Sequence, residues 1–207
     1  MFKRILLVNI LLILCCCSET ELIIDDGDGI NLKFIDGLND NPQYSLSKDQ
    51  NGYYELILDR TTNQTIQRVT AKLTRNGMPV EDMSSGKQPK KVEWESNLYW
   101  WLLEGDTVAN ITKTYFNKFT GELTYVNLPP LTNWKDVLVP TVNSSSYTNE
   151  QTGIVNTVIA PIQKMANDTM KVTVLYNHII TSKQDDSNNF ETLGNRIFRD
   201  SVYIVLK

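Results

Sequence analysis

Residues 69–96, "VTAKLTRNGMPVEDMSSGKQPKKVEWES", decide how this chain folds. Val69, Ala71 and Leu73 alternate with Thr70, Lys72 and Thr74, the period-two pattern of a strand with one buried face. Asn76-Gly77 then accepts the positive backbone angles of a tight turn, and Pro79 lacks the N–H that ladder pairing needs. In "KVEWES" the apolar residues Val92 and Trp94 return to one face. The stretch therefore predicts a strand, a turn and a second strand that carries a core tryptophan.

The alternation continues on both sides. "YYELILD" sets Tyr54, Leu56 and Leu58 against Glu55 and Asp59, and Ile66 extends the Val69 pattern after one slip near Gln67. Further on, "ITKTYF" and "ELTYVNL" flank "NKFTG" as a hairpin, and Ile197 to Leu206 reads as a closing strand after a polar loop that begins beyond Tyr176. The chain is rich in Thr, Val, Ile, Tyr and Asn and has almost no stretch of helical period, which predicts an all-β fold. Before it, "IIDDGDGINLKFIDGLNDNPQ" is dense in Asp, Asn and Gly, so it is expected to turn repeatedly and bury little. Asp25, Asp26 and Asp28 lack calcium-loop spacing, because Ile30 and Asn31 stand where an oxygen ligand and a glycine are needed.

In order, these segments resemble the bacterial immunoglobulin-like domains of the invasin and intimin type. "VTAKLTRNGMPVED" and "KVEWES" are similar to strand B, its turn and strand C of that family, and "YTNEQTGIVNTVIAP" and "DTMKVTVLY" to two later strands. The resemblance implies an immunoglobulin-like β-sandwich over residues 52–207. Residues 97–140 depart from the family and are expected to form an inserted hairpin.

At the N-terminus, Lys3 and Arg4 precede an apolar run, Ile5 to Leu14, broken only by Asn9. That is a signal-peptide layout, too short for the ~20 apolar residues of a membrane-crossing helix. The run ends in Leu14-Cys15-Cys16-Cys17, which holds all 3 cysteines of the 207-residue chain. It resembles a bacterial lipobox. The likeness implies a signal peptide over residues 1–16, acylation of Cys17, and a tether and lead-in segment over residues 17–51. Cleavage one residue earlier, before Cys16, is the alternative, and an ordinary signal peptide with incidental cysteines is the plainer reading. With no cysteine after Cys17, a disulfide framework is excluded. The expected location is the cell envelope, with the chain lipid-anchored at the outer membrane.

Without Lys3 and Arg4 the 20 basic residues fall to 18 against 24 acidic ones, a net charge of −6, and no basic cluster exceeds "KQPKK". Nucleic acid is a poor partner for such a surface. His178 is the sole histidine, so a multi-histidine metal site cannot form and any Ser-His or Cys-His pair would have to use it. It reads as a half-exposed residue at a strand end. No catalytic residue, metal or cofactor is expected.

Tyr99, Trp100 and Trp101 are the candidate ligand contacts. On a strand the two adjacent tryptophans point to opposite faces, so one of them faces outward. Asp106-Thr107-Val108, Asp168-Thr169-Met170 and Asp200-Ser201-Val202 resemble the O-glycosylation acceptors of exported Bacteroidetes proteins. The likeness implies modification at Thr107, Thr169 and Ser201; ordinary strand-flanking hydroxyls are the plainer reading. Together these features predict a non-enzymatic, lipid-anchored binding or adhesion module that meets the membrane through its anchor and contacts a glycan or an envelope protein. The alternative is a structural accessory of a larger outer-membrane assembly, such as a glycan-uptake or fimbrial complex.

Overall fold

The structure, a computed structural model, describes residues 22–62, 64–104, 111–117, 119–120, 123–127, 137–184 and 189–207. It is all-β. The strands are β1 (Leu22–Asp25), β2 (Ile30–Phe34), β3 (Tyr54–Leu56), β4 (Gln67–Arg75), β5 (Met78–Pro79), β6 (Lys91–Ser96) and β7 (Leu98–Glu104). They continue with β8 (Ile111–Asn117), β9 (Leu123–Asn127), β10 (Val137–Pro140), β11 (Ser145–Tyr147), β12 (Ile154–Ile159), β13 (Thr169–Gln184) and β14 (Phe190–Leu206). Among the described residues the helical elements are three single 3₁₀ turns, at Asp36–Leu38, Pro42–Tyr44 and Gln163–Met165.

Two sheets share one core. The larger runs β11-β6-β13-β14-β3, with β1 added to the far end of β13; the smaller runs β12-β4-β2, with β5 beside β4. All these pairs are antiparallel except β14 with β3, which is parallel. Alternation along β4 buries Val69, Ala71 and Leu73, and alternation along β6 buries Val92 and Trp94. Val172 and Val174 of β13, Ile204 and Leu206 of β14, and Val155 and Ile159 of β12 complete the facing layers. Across the core the Trp94 ring meets Phe34 edge-on at 6.0 Å, while its Nε1 donates to Ser146 Oγ at 2.7 Å. A buried indole N–H is thus satisfied. The turn between β4 and β5 uses Asn76 at φ 51° and Gly77 at φ 83°, the left-handed angles that pair of residues tolerates.

The third sheet, β10-β7-β8-β9, lies between β6 and β11 in sequence. β7 follows β6 after Asn97 alone, and β10 leads back to β11, so the inserted ribbon prolongs the β6–β11 pair. Six residues separate Glu93 from Tyr99, but five separate their partners Ser145 and Pro140, so the junction holds one extra residue. Asn97 braces it: its backbone N donates to Lys171 O at 3.3 Å, its Nδ2 donates to Thr169 O at 3.1 Å and its Oδ1 accepts from Lys171 N at 2.6 Å. Thr141 Oγ1 lies 3.0 Å from Ser96 Oγ and 2.8 Å from Leu98 O, bracing the same joint. These polar residues are buried and paired, as the interior demands.

Two sequence expectations need correction. The lead-in segment, expected to bury little, supplies β1 and β2 and buries Ile30, Leu32 and Leu38, because its Asp and Gly residues gather in turns and leave the apolar ones free to alternate. The polar loop expected beyond Tyr176 is instead the rest of β13, and β14 begins at Phe190 rather than Ile197. Polar residues sit there on a strand whose backbone bonds are made by β14 on one side and, at Thr181–Gln184, by β1 on the other.

Candidate functional site

The outer face of the larger sheet carries an aromatic cluster built from three distant elements. Tyr203 on β14 lies 5.4 Å, ring to ring, from Tyr53, which enters β3, and 6.3 Å from Phe119, whose ring is within 24° of parallel. Phe119 belongs to the turn between β8 and β9, so the inserted ribbon folds back and rests its tip on this face. Lys171 Nζ stands 5.9 Å from the Tyr203 ring centre, in cation–π range. Despite these contacts the three rings stay open to solvent, Phe119 at 55%, Tyr53 at 41% and Tyr203 at 36%. Beside them is a cleft of about 230 Å³ lined by Glu95, Ser96, Asn97, Phe119, Lys171 and Thr173. It offers an aromatic wall, one cation, one carboxylate and hydroxyl and amide groups at one spot.

A second cluster is buried at the end of the sandwich where β1 joins. Asp25 Oδ1 is 2.7 Å from Arg75 Nη2 and 3.2 Å from His178 Nε2, and Asp25 Oδ2 accepts from Met83 N at 3.1 Å. On the other side of the imidazole, His178 Nδ1 is 3.5 Å from Asp82 Oδ1, and Asp82 Oδ2 is 2.7 Å from Lys90 Nζ. His178 is 1% exposed, which overturns its reading as a half-exposed residue at a strand end. It lies inside β13, covered by β1 and by Gly27, where an added Cβ would sit 2.7 Å from the imidazole Cδ2. Burial pushes the Asp25 carboxyl up, but the hydrogen bonds from Arg75 and Met83 outweigh it and hold the group below its ordinary value. Burial and then the Asp82 carboxylate push the Tyr176 hydroxyl up, so it stays protonated and donates to Asp82 Oδ1 at 3.3 Å. Each charge here has an opposite partner, the arrangement of a structural clamp. Among the described residues no group of three or more His, Cys, Asp or Glu could hold a metal ion.

Of the residues singled out in the sequence, Cys17 and Thr107 lie outside the described residues. Trp100 and Trp101 stand on β7, opposite Tyr115 and Thr114 of β8, and their side chains lie outside what is described. Tyr99 is half-buried opposite Phe116 and Pro140. Thr169 opens β13, with its carbonyl on Asn97, and Ser201 Oγ lies 2.9 Å from Thr173 Oγ1 on the outer face of β14. Tyr53, Phe119 and Tyr203 escaped the sequence reading because they are far apart in the chain. Their one local signal is an aromatic residue at a solvent-side strand position. No family model and no curated protein matches the chain.

Proposed function

We propose that the chain is a lipid-anchored cell-envelope binding or adhesion module, non-enzymatic and built on an immunoglobulin-like sandwich. The observation that carries the binding role is the open aromatic cluster of Tyr53, Phe119 and Tyr203 beside the Lys171–Glu95 cleft. Flat exposed rings bordered by hydrogen-bonding groups suit a sugar ring, whose C–H face stacks while its hydroxyls are bonded at the edge. The immunoglobulin-like assignment is supported by strand order: β2, β4 and β12 form one sheet and β6, β13 and β14 the other, with β3 crossing over to run parallel to β14. The leader and Leu14–Cys17 support export and acylation, and the outer membrane is the proposed site. Thr169 and Ser201 remain proposed O-glycosylation positions, as does Thr107.

Binding of the purified chain to arrayed envelope glycans tests the role. The expected result is retention that Tyr203→Ala reduces tenfold or more with the melting temperature kept within a few degrees. No retention by the unaltered chain, or equal retention by the variant, would overturn it. A second reading, an accessory subunit of a larger outer-membrane assembly, is favoured by one observation, the edge of β14 that no described strand pairs between Phe190 and Arg199.

A further inference from the structure

Among the described residues, β14 between Phe190 and Arg199 is paired on one side only, with β13, and β3 takes the other side at Ile204–Leu206. The open stretch ends at Asp200, whose Oδ2 accepts the Phe34 N–H at 3.0 Å and whose Oδ1 is 3.7 Å from Lys33 Nζ. Proteins blunt long bare edges with proline, charge, bulges or brevity. This one is long and has no proline, and beside Glu191, Arg196 and Arg199 it exposes Phe190 at 40%, Leu193 at 51% and Ile197 at 53%.

We infer that two copies of this chain join edge to edge along Phe190–Arg199, antiparallel about a two-fold axis at Asn195. The edge is complementary to itself. With Asn195 opposite its own copy, Arg196 faces Gly194, the residue that leaves most room for it. Leu193 must then be skipped, and it already is: β13 pairs Ile180 with Gly194 and Thr181 with Thr192, leaving Leu193 as a bulge. Beyond the bulge Ile197 meets Thr192, Phe198 meets Glu191, and Arg199 meets Phe190.

Every one of those pairs agrees in face. Asn195, Thr192 and Phe190 lie opposite Ile179, Thr181 and Lys183 of β13, hence on one face with Ile197 and Arg199; Gly194 and Glu191 lie opposite Ile180 and Ser182, hence on the other with Arg196 and Phe198. Across the axis this sets the Glu191 carboxylate diagonal to Arg196 of the other copy and lays Arg199 against the Phe190 ring. Within one chain, Glu191 and Arg196 are separated by the bulge residue Leu193 and three others, too far along an extended strand to pair.

The test uses the full chain extracted in mild detergent. Opposed Cα atoms in an antiparallel ladder are about 4.5–5.5 Å apart, inside the disulfide range of about 4.4–6.8 Å. Oxidised Asn195→Cys should therefore yield a covalent species of twice the monomer mass, which neither the unaltered chain nor Ile66→Cys forms. By light scattering the unaltered chain should weigh two copies, Glu191→Arg and Arg196→Glu each one, and the double variant two again. A monomeric unaltered chain, cross-linking at Ile66 in preference to Asn195, or a double variant that stays monomeric would each overturn the pairing.

Discussion

Asp25 shows how much one side chain can decide. It closes β1 onto the sandwich, satisfies Arg75 and Met83, and borders the one histidine. Removing one member of a buried pair leaves the other charge uncompensated, at a cost of about 3–5 kcal/mol. Asp25→Asn should lower the unfolding free energy at pH 7 by that order, read from denaturant unfolding. Because the folded carboxyl lies below the ordinary aspartate value of 3.8, its contribution is present above that pH and lost as pH falls through the folded value. Acid titration should thus weaken the natural chain below about pH 4, and the Asn variant should lack that part of the slope. Equal slopes would show that Asp25 is not held by this network.

Among the elements, the joint between β6 and β7 sets where the inserted sheet points. It depends on Asn97, which bonds to β13 through both its backbone and its side chain. Asn97→Ala leaves the Thr169 carbonyl and the Lys171 N–H without partners, each costing about 1–3 kcal/mol when buried. Faster hydrogen exchange at the Lys171 amide is the expected readout; unchanged exchange would mean that water or a shift in the chain replaces Asn97. This joint was not legible in the sequence, since an asparagine between two strands looks like any turn residue. The period-two runs around Val69, Val92 and Trp94 were legible because alternation is a local property. The lead-in segment misled for the opposite reason: its turn residues mask Ile30 and Leu32, whose burial depends on pairing with Ile30–Phe34's distant partner, β4. His178 was misread because its partners, Asp25 at the end of β1 and Asp82 in a turn, are remote in the chain. The aromatic cleft needs three elements brought together, which no local pattern announces.

At the scale of the whole molecule, the sandwich has one end where β1, His178 and the paired ends of β13 and β14 meet, and an opposite end from which the inserted sheet springs. The aromatic face lies near that second end, where Tyr203 pairs with Lys171, open on the side away from the core. That layout suits a domain held at a membrane and presenting one face outward. The central claim is the tether, and the most direct measurement is acylation of the full chain in a bacterial host supplied with a labelled fatty acid. The natural chain should take up label and sediment with membranes, and Cys17→Ser should lose both. Label that survives Cys17→Ser and disappears in Cys16→Ser would move the anchor by one residue; label absent from the natural chain would contradict the account.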